Sequence, residues 1–394
     1  PPLLLERFFA RMAALGPGHS GPESIIVRID EPETKEEGIG GLGSSHSSAQ
    51  DLQKLSVKPS MQKLLQISER ERQIDLEAGN SKEYQEIISE FDFRNICYRI
   101  PRKKDTPQTI LEGICGSFKR GELTALMGPS GSGKTSLLTV LAQRVSPKLV
   151  SGDLLINKTH RVDRSWKRKM GFVFQDDLML ANLTVRETLL FSARLRLPQS
   201  MPRGDKEAKV DALLDLLGLT RVAHQPIGGV ERRGVSGGER KRAALGAELV
   251  TGPALLFLDE PTSGLDAAAA LSLTLLLRAL AADSGTIFVA AIHQPRSSVF
   301  NLFDQVVMLR RGRAAYVGPR AGLGPYLVAA TQVGCPPADV APADWALDLL
   351  ADPGADADKL VEEWSSNRSP KEAPAAGDSI PLLARSSGSD GGGD

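Results

Sequence analysis

The chain has 394 residues, with 48 acidic and 48 basic side chains that cancel to a formal net charge of zero. That balance lacks the basic footprint of a nucleic-acid-binding protein, so no nucleic-acid partner is expected. Its three cysteines, Cys97, Cys115 and Cys335, are far apart and in no CxxC pattern, which argues against a disulfide framework or zinc site and for ordinary thiols in a reducing compartment.

Residues 1–85 mix a short apolar opening, a Gly/Ser segment at 38–48 and a charged stretch at 68–77, a composition that predicts a solvated linker or regulatory arm. The chain opens on Pro1 and not on methionine, so the absence of a targeting signal carries no information. From Ile87 onward, short apolar runs alternate with helical periodicity and Gly-rich turns, the pattern of parallel α/β architecture. Residues 122–127, 171–174, 255–258, 286–292 and 305–309 are apolar enough to be strands covered on both faces. Between them, residues 134–144, 185–195, 206–217, 239–250 and 267–281 carry helical spacing. No run approaches the ~20 apolar residues that cross a bilayer. The longest charge-free one, 267–277, is stopped by Asp266 and Arg278 and reads as a buried core helix. After Gly318 a Pro/Ala-rich segment ends in a short helix expected near 344–350, and from Asn367 a Ser/Pro/Gly/Ala tail is expected to be disordered.

Gly128-Pro129-Ser130-Gly131-Ser132-Gly133-Lys134-Thr135, followed by Ser136, fits G-x-x-x-x-G-K-[ST] between a predicted strand and a predicted helix. Glycines permit a tight loop whose N–H groups turn inward around phosphate oxygens, and the following helix adds its positive end. Lys134 is placed to reach the outer phosphates of ATP, and the Thr135 hydroxyl to ligate Mg²⁺. Farther along, Leu255–Leu258 ends in Asp259 and Glu260. A hard carboxylate at the end of a rigid strand suits Mg²⁺, which assigns Asp259 to the metal. Glu260, one residue on, is the candidate general base that polarises the attacking water. Val235-Ser236-Gly237-Gly238-Glu239 opens another helix, where Ser236 can cap and the glycines allow backbone amides to approach phosphate. A second anion site on one chain makes sense if two copies meet head to tail, each offering this element to the other's ATP.

This element resembles the signature motif of ATP-binding-cassette (ABC) proteins. The other family landmarks follow in order: Gln175 as the Q-loop residue, Ser263-Gly264-Leu265-Asp266 as the D-loop and His293 as the switch histidine. The resemblance implies an α/β P-loop NTPase of the ABC ATPase type, with a mostly parallel core sheet, an antiparallel β subdomain and a helical signature subdomain. It also implies that Gln175 senses γ-phosphate and Mg²⁺, that Asp266 communicates across a cassette dimer, that His293 contacts γ-phosphate, and that an upstream aromatic, here Tyr98, stacks on adenine. The texture of 183–198, of 233–242 and of Pro342-Ala343-Asp344-Trp345 is similar to the G subfamily of half-transporters, the white/pigment and sterol-exporter type. Ala341 departs from it, standing where that connector often has asparagine.

The expected organisation is an arm at 1–85, a nucleotide-binding domain at 86–325, a connector at 326–366 toward a membrane domain missing from this sequence, and a tail at 367–394. The implied activity is ATP hydrolysis coupled to transport of a lipophilic substrate. The expected partners are a second cassette, identical or not, and a transmembrane domain in cis or in trans, with the cassette on the cytosolic face of a membrane. A soluble cassette protein and a non-hydrolytic regulatory remnant are the rival readings.

Overall fold

The computed structural model describes residues 59–64, 66–67, 88–102, 106–176, 179–229, 233–331, 340–352 and 354–367. The charged stretch at 68–77, the Gly/Ser segment at 38–48 and the tail beyond Asn367 lie outside the described residues.

The five apolar runs become strands, each within a residue or two of its expected bounds. They are β3 (Leu123–Met127), β6 (Met170–Val173), β7 (Leu255–Asp259), β8 (Ile287–Ala291) and β9 (Gln305–Arg310). All five are parallel, and a short antiparallel strand, β10 (Arg313–Pro319), closes one edge to give the order β10-β9-β3-β8-β7-β6. Every residue of β3, β6, β7, β8 and β9 is buried because both faces are covered. Side chains alternate between the faces. Leu255 and Phe257 join one apolar cluster, while Leu256 and Leu258 join the other.

The first cluster is shared with a four-stranded antiparallel sheet of order β2-β1-β4-β5. It is built from β1 (Glu90–Ile100), β2 (Gln108–Lys119), β4 (Val150–Ile156) and the two-residue β5 (His160–Arg161). Phe91, Phe93 and Phe118 fill it together with Leu137 and Leu141 of α1 (Lys134–Leu141). The opposite face carries α2 (Val185–Arg196), α3 (Arg203–Leu216), α4 (Gly237–Leu249) and α5 (Ala267–Ser284). Arg186 of α2 bonds Asp211 of α3 at 2.8 Å, and Arg196 of α2 bonds Glu248 of α4 at 2.8 Å. Both α2 and α4 begin with a reciprocal capping box, Thr184 with Glu187 and Ser236 with Glu239.

Helix α5 is longer than its charge-free run because Arg278 and Asp283 fall on its flanks. By length and composition alone its 18 residues pass for a membrane span. In the fold, Leu273, Leu276, Leu277 and Leu280 pack into the core beside β3 and β8, as expected of a core helix.

Two regions depart from the sequence reading. Residues 59–64 and 66–67 are helical, and Met61, Leu64 and Ile67 are buried in the same cluster as the α2–α4 helices, with the Ser60 hydroxyl donating to Asp215. At these residues the arm packs, where a solvated linker is expected. Beyond β10 and a short α6 (Ser297–Phe300) preceding β9, three helices follow: α7 (Leu323–Thr331), α8 (Pro342–Ala351) and α9 (Ala355–Asn367). Arg310, 4% exposed, ties them to the sheet: Nε donates to Asp358 at 2.9 Å, and Nη1 donates to the carbonyls of Asp352 (2.7 Å) and Leu350. Tyr316, Tyr326 and Trp364 stack edge and tilt with centroids 5.2–5.3 Å apart. Only α8 is signalled in sequence.

Candidate active site

Loop 128–133 joins β3 to α1, and its geometry requires glycine at two places. Gly128 has φ +149°, and a Cβ there would stand 2.2 Å from the Leu309 carbonyl oxygen. Gly133, at φ +101°, is the left-handed N-cap of α1, where a Cβ would meet Leu111 at 2.9 Å. The loop is braced by Ser132 N–H to the Pro129 carbonyl (3.1 Å) and by Gly312 N–H to the Ser132 carbonyl (2.9 Å). Lys134 curls back over it, donating to the carbonyls of Gly128 at 2.8 Å and Pro129 at 3.1 Å, and is 7% exposed. Burial pushes its pKa down, while the neighbouring Glu260 and Asp259 carboxylates push it up. Among the described residues the buried Ser132 hydroxyl has no hydrogen-bond partner, so the loop holds an unused polar group as well as a cation. Gly131 is open around its Cβ position, and Ser130 is exposed at the loop's tip.

Asp259 ends β7 and is 4% exposed. Burial raises its pKa, and the hydrogen bond from the Thr135 hydroxyl, 3.1 Å away, lowers it. A desolvated carboxylate facing a hydroxyl is an oxygen donor set for a small hard cation, while the Lys134 ammonium beside it suits phosphate oxygens. Glu260 follows in the left-handed region, φ +48°, uncommon outside glycine, with its N–H still bonded to the Ala291 carbonyl of β8 at 3.1 Å. This turn carries its side chain off the strand toward Gln175, whose amide donates to it at 3.0 Å. His293 lies just past β8, before Gln294 at φ +43°, and lines one open depression with Glu260, Thr262 and Ser263. Lys134, Thr135, Gln175, Asp259, Glu260 and His293 are therefore gathered at one end of the parallel strands.

Ser236, Gly237, Gly238 and Glu239 stand apart from this group. Among the described residues no hydrogen bond joins them to the 128–135 loop. The Ser236 hydroxyl accepts from the Glu239 N–H, and the Glu239 carboxylate accepts from the Ser236 N–H and hydroxyl, both at 2.8 Å. Ser236 and Gly237 are exposed and Gly238 is half-buried, with Leu265 and Ala269 in van der Waals contact with the two glycine Cβ positions, so the helix end faces solvent on its Ser236–Gly237 side. Asp266 caps α5, accepting from the Ala269 N–H at 2.8 Å. Tyr98 is half-buried on β1 against the cluster under the antiparallel sheet.

The family model described as ABC transporter matches residues 111–263. ABC transporter G family member 22 of Arabidopsis thaliana is 42% identical over 283 residues, which is 70% of this chain and 37% of that protein. The broad substrate specificity ATP-binding cassette transporter ABCG2 of Sus scrofa is 44% identical over 266 residues, 66% of this chain and 40% of that one. Residues 111–263 are an ABC cassette, similar to those of G-family transporters.

The cassette spans about two fifths of the length of these curated relatives. Among solved structures, the cassette of cbiO1 from Clostridium perfringens, part of the ABC transporter complex cbiONQ, aligns with a TM-score of 0.52 at 26% identity, over 59% of this chain and 90% of that one. The dimeric post-hydrolysis cassette MJ0796 bound to ADP and Pi aligns with a TM-score of 0.50 at 22% identity, over 58% and 98%, and supports the shared fold. Sequence reasoning misses one residue at the cassette's site. Lys241 of α4, 8% exposed, donates to the Gln175 carbonyl at 2.6 Å. It stands between Arg240 and Arg242, both half-buried, and three basic residues in a row do not tell which of them turns onto a main-chain carbonyl.

Proposed function

We propose that the cassette binds and hydrolyses ATP as one of a head-to-tail pair, and that this cycle drives a membrane transporter for a lipophilic substrate from the cytosolic face. The second cassette is identical or closely related, and the transmembrane domain is joined in cis or in trans. The observation that carries this reading is the separation of two half-sites on one chain. A phosphate loop with its carboxylates sits at one place, and a capped, uncovered, glycine-bearing helix end at another.

In this reading the N–H groups of 128–136 and the Lys134 ammonium bind the phosphates, and Tyr98 stacks on the base. Thr135, Gln175 and Asp259 would hold Mg²⁺, a role that the Thr135–Asp259 hydrogen bond fits. When bound, that ion offsets negative charge on the phosphates. Glu260 accepts a proton as water attacks the terminal phosphorus and ADP departs with the bridging oxygen. Gln175 orients Glu260, and His293 contacts the terminal phosphate. The neighbour's Ser236, Gly237 and Gly238 close the site, aided by its helix dipole, while Glu239 keeps that turn rigid and Asp266 lies at the contact between cassettes. Nucleotide thereby favours the closed pair, and loss of the terminal phosphate lets it reopen.

Replacing Glu260 by Gln keeps the shape and removes the base. ATP turnover is expected to fall about a hundredfold with binding retained. Near-normal turnover would dismiss Glu260 from this role.

A further inference from the structure

Lys241 has a geometry that packing does not explain. Burying an ammonium is costly unless its protons are used, and a leucine would fill the same place on α4 without that cost. Its proton goes to the main-chain carbonyl of Gln175, and Gln175 in turn donates its side-chain amide to Glu260 at 3.0 Å. Two turns along the same helix, the Glu248 carboxylate accepts from the Phe172 N–H at 3.2 Å. These two anchors match in length: the helix rises about 10.5 Å from Lys241 to Glu248, and an extended chain covers about 10 Å from Phe172 to Gln175. Helix α4 thus lies antiparallel along β6 and its extension, fastened at the strand by Glu248 and at the Q-loop by Lys241. The same helix begins at Ser236.

We propose that Lys241 is a positioning residue for hydrolysis, holding the Gln175 carbonyl so that the Gln175 amide is set against Glu260. Any shift of α4 that follows engagement of its Ser236 turn by a neighbour's nucleotide is thereby passed to the carboxylate of its own site. The bonds run from Ser236 through α4 to Lys241, Gln175 and Glu260 within one chain. The proposal rests on the reading of Gln175 and Glu260 as hydrolytic residues given above.

A double-mutant cycle on the full chain tests it, with ATP turnover and ATP affinity measured for Lys241→Met, Gln175→Ala and the pair. Lys241→Met is expected to lower kcat about tenfold, to leave the ATP dissociation constant within about twofold, and to be largely rescued by Lys241→Arg. In the Gln175→Ala background it is expected to change nothing further. Turnover of Lys241→Met within twofold of the parent, or a loss that multiplies fully with that of Gln175→Ala, would overturn the proposal. Should the methionine variant lack a cooperative thermal transition, the same cycle is run with Lys241→Gln, which keeps a donor without the charge and is held to the same non-additivity. Unchanged turnover in Gln175→Ala alone would instead overturn the site reading beneath it.

Discussion

Asp259 and Lys134 are folded into surroundings that desolvate both charges. Burial pushes the acid's pKa up and the base's down, so each is biased toward its neutral form. For Asp259 the sign follows directly. Its folded pKa lies above the ordinary 3.8, so the folded state binds the proton more tightly than the unfolded chain does. Its contribution to stability is therefore lost as pH rises from the unfolded value through the folded one. Asp259→Asn keeps an acceptor for Thr135 and cannot ionise. In nucleotide-free thermal melts between about pH 4 and pH 7, the variant is expected to gain on the parent as pH rises. A difference in Tm that stays flat across that range would contradict the assignment. At this scale the sequence shows residues whose spacing is itself the chemistry, such as Gly128, Lys134 and the Asp259–Glu260 pair. It hides Lys241, because the role of an inward lysine depends on a carbonyl brought from 66 positions away.

Elements were legible in proportion to how completely they are buried. β3, β7 and β8 are covered on both faces and so are apolar except at Thr124 and at Asp259. β1 buries Phe91, Asp92 and Phe93 in succession, then exposes Arg94 and Asn95, and is broken by register shifts at Phe93–Ile96 and at Tyr98, so neither a solid apolar run nor a clean two-residue period marks it. Helix α9 owes its place to Arg310 and an aromatic trio contributed by three elements, none of it local. The two capping boxes separate structure from function. Thr184→Ala and Ser236→Ala each remove a cap and should each cost about 1 kcal/mol of stability. Only Ser236→Ala is expected to lower ATP turnover, by about tenfold or more. Equal activity in the two variants would reduce the Ser236 turn to a helix start.

On the scale of the molecule, two apolar clusters flank one sheet and hold the phosphate loop before α1 and the Ser236 turn before α4 on different elements. The order of motifs makes that separation readable in the sequence, since each landmark needs its own strand end or helix start. Packing of residues 59–67 against the helices was not readable, because three apolar residues at helical spacing acquire meaning only from the surface they meet. In the proposed reading, the Ser236 turn of a second cassette completes the site. Sedimentation velocity of Glu260→Gln with and without Mg·ATP measures this most directly. The monomer should shift to a dimer when Mg·ATP is added and return when it is removed. A Glu260→Gln protein that stays monomeric at saturating Mg·ATP, beside a parent whose turnover per molecule is unchanged by dilution, would contradict a site shared between two chains.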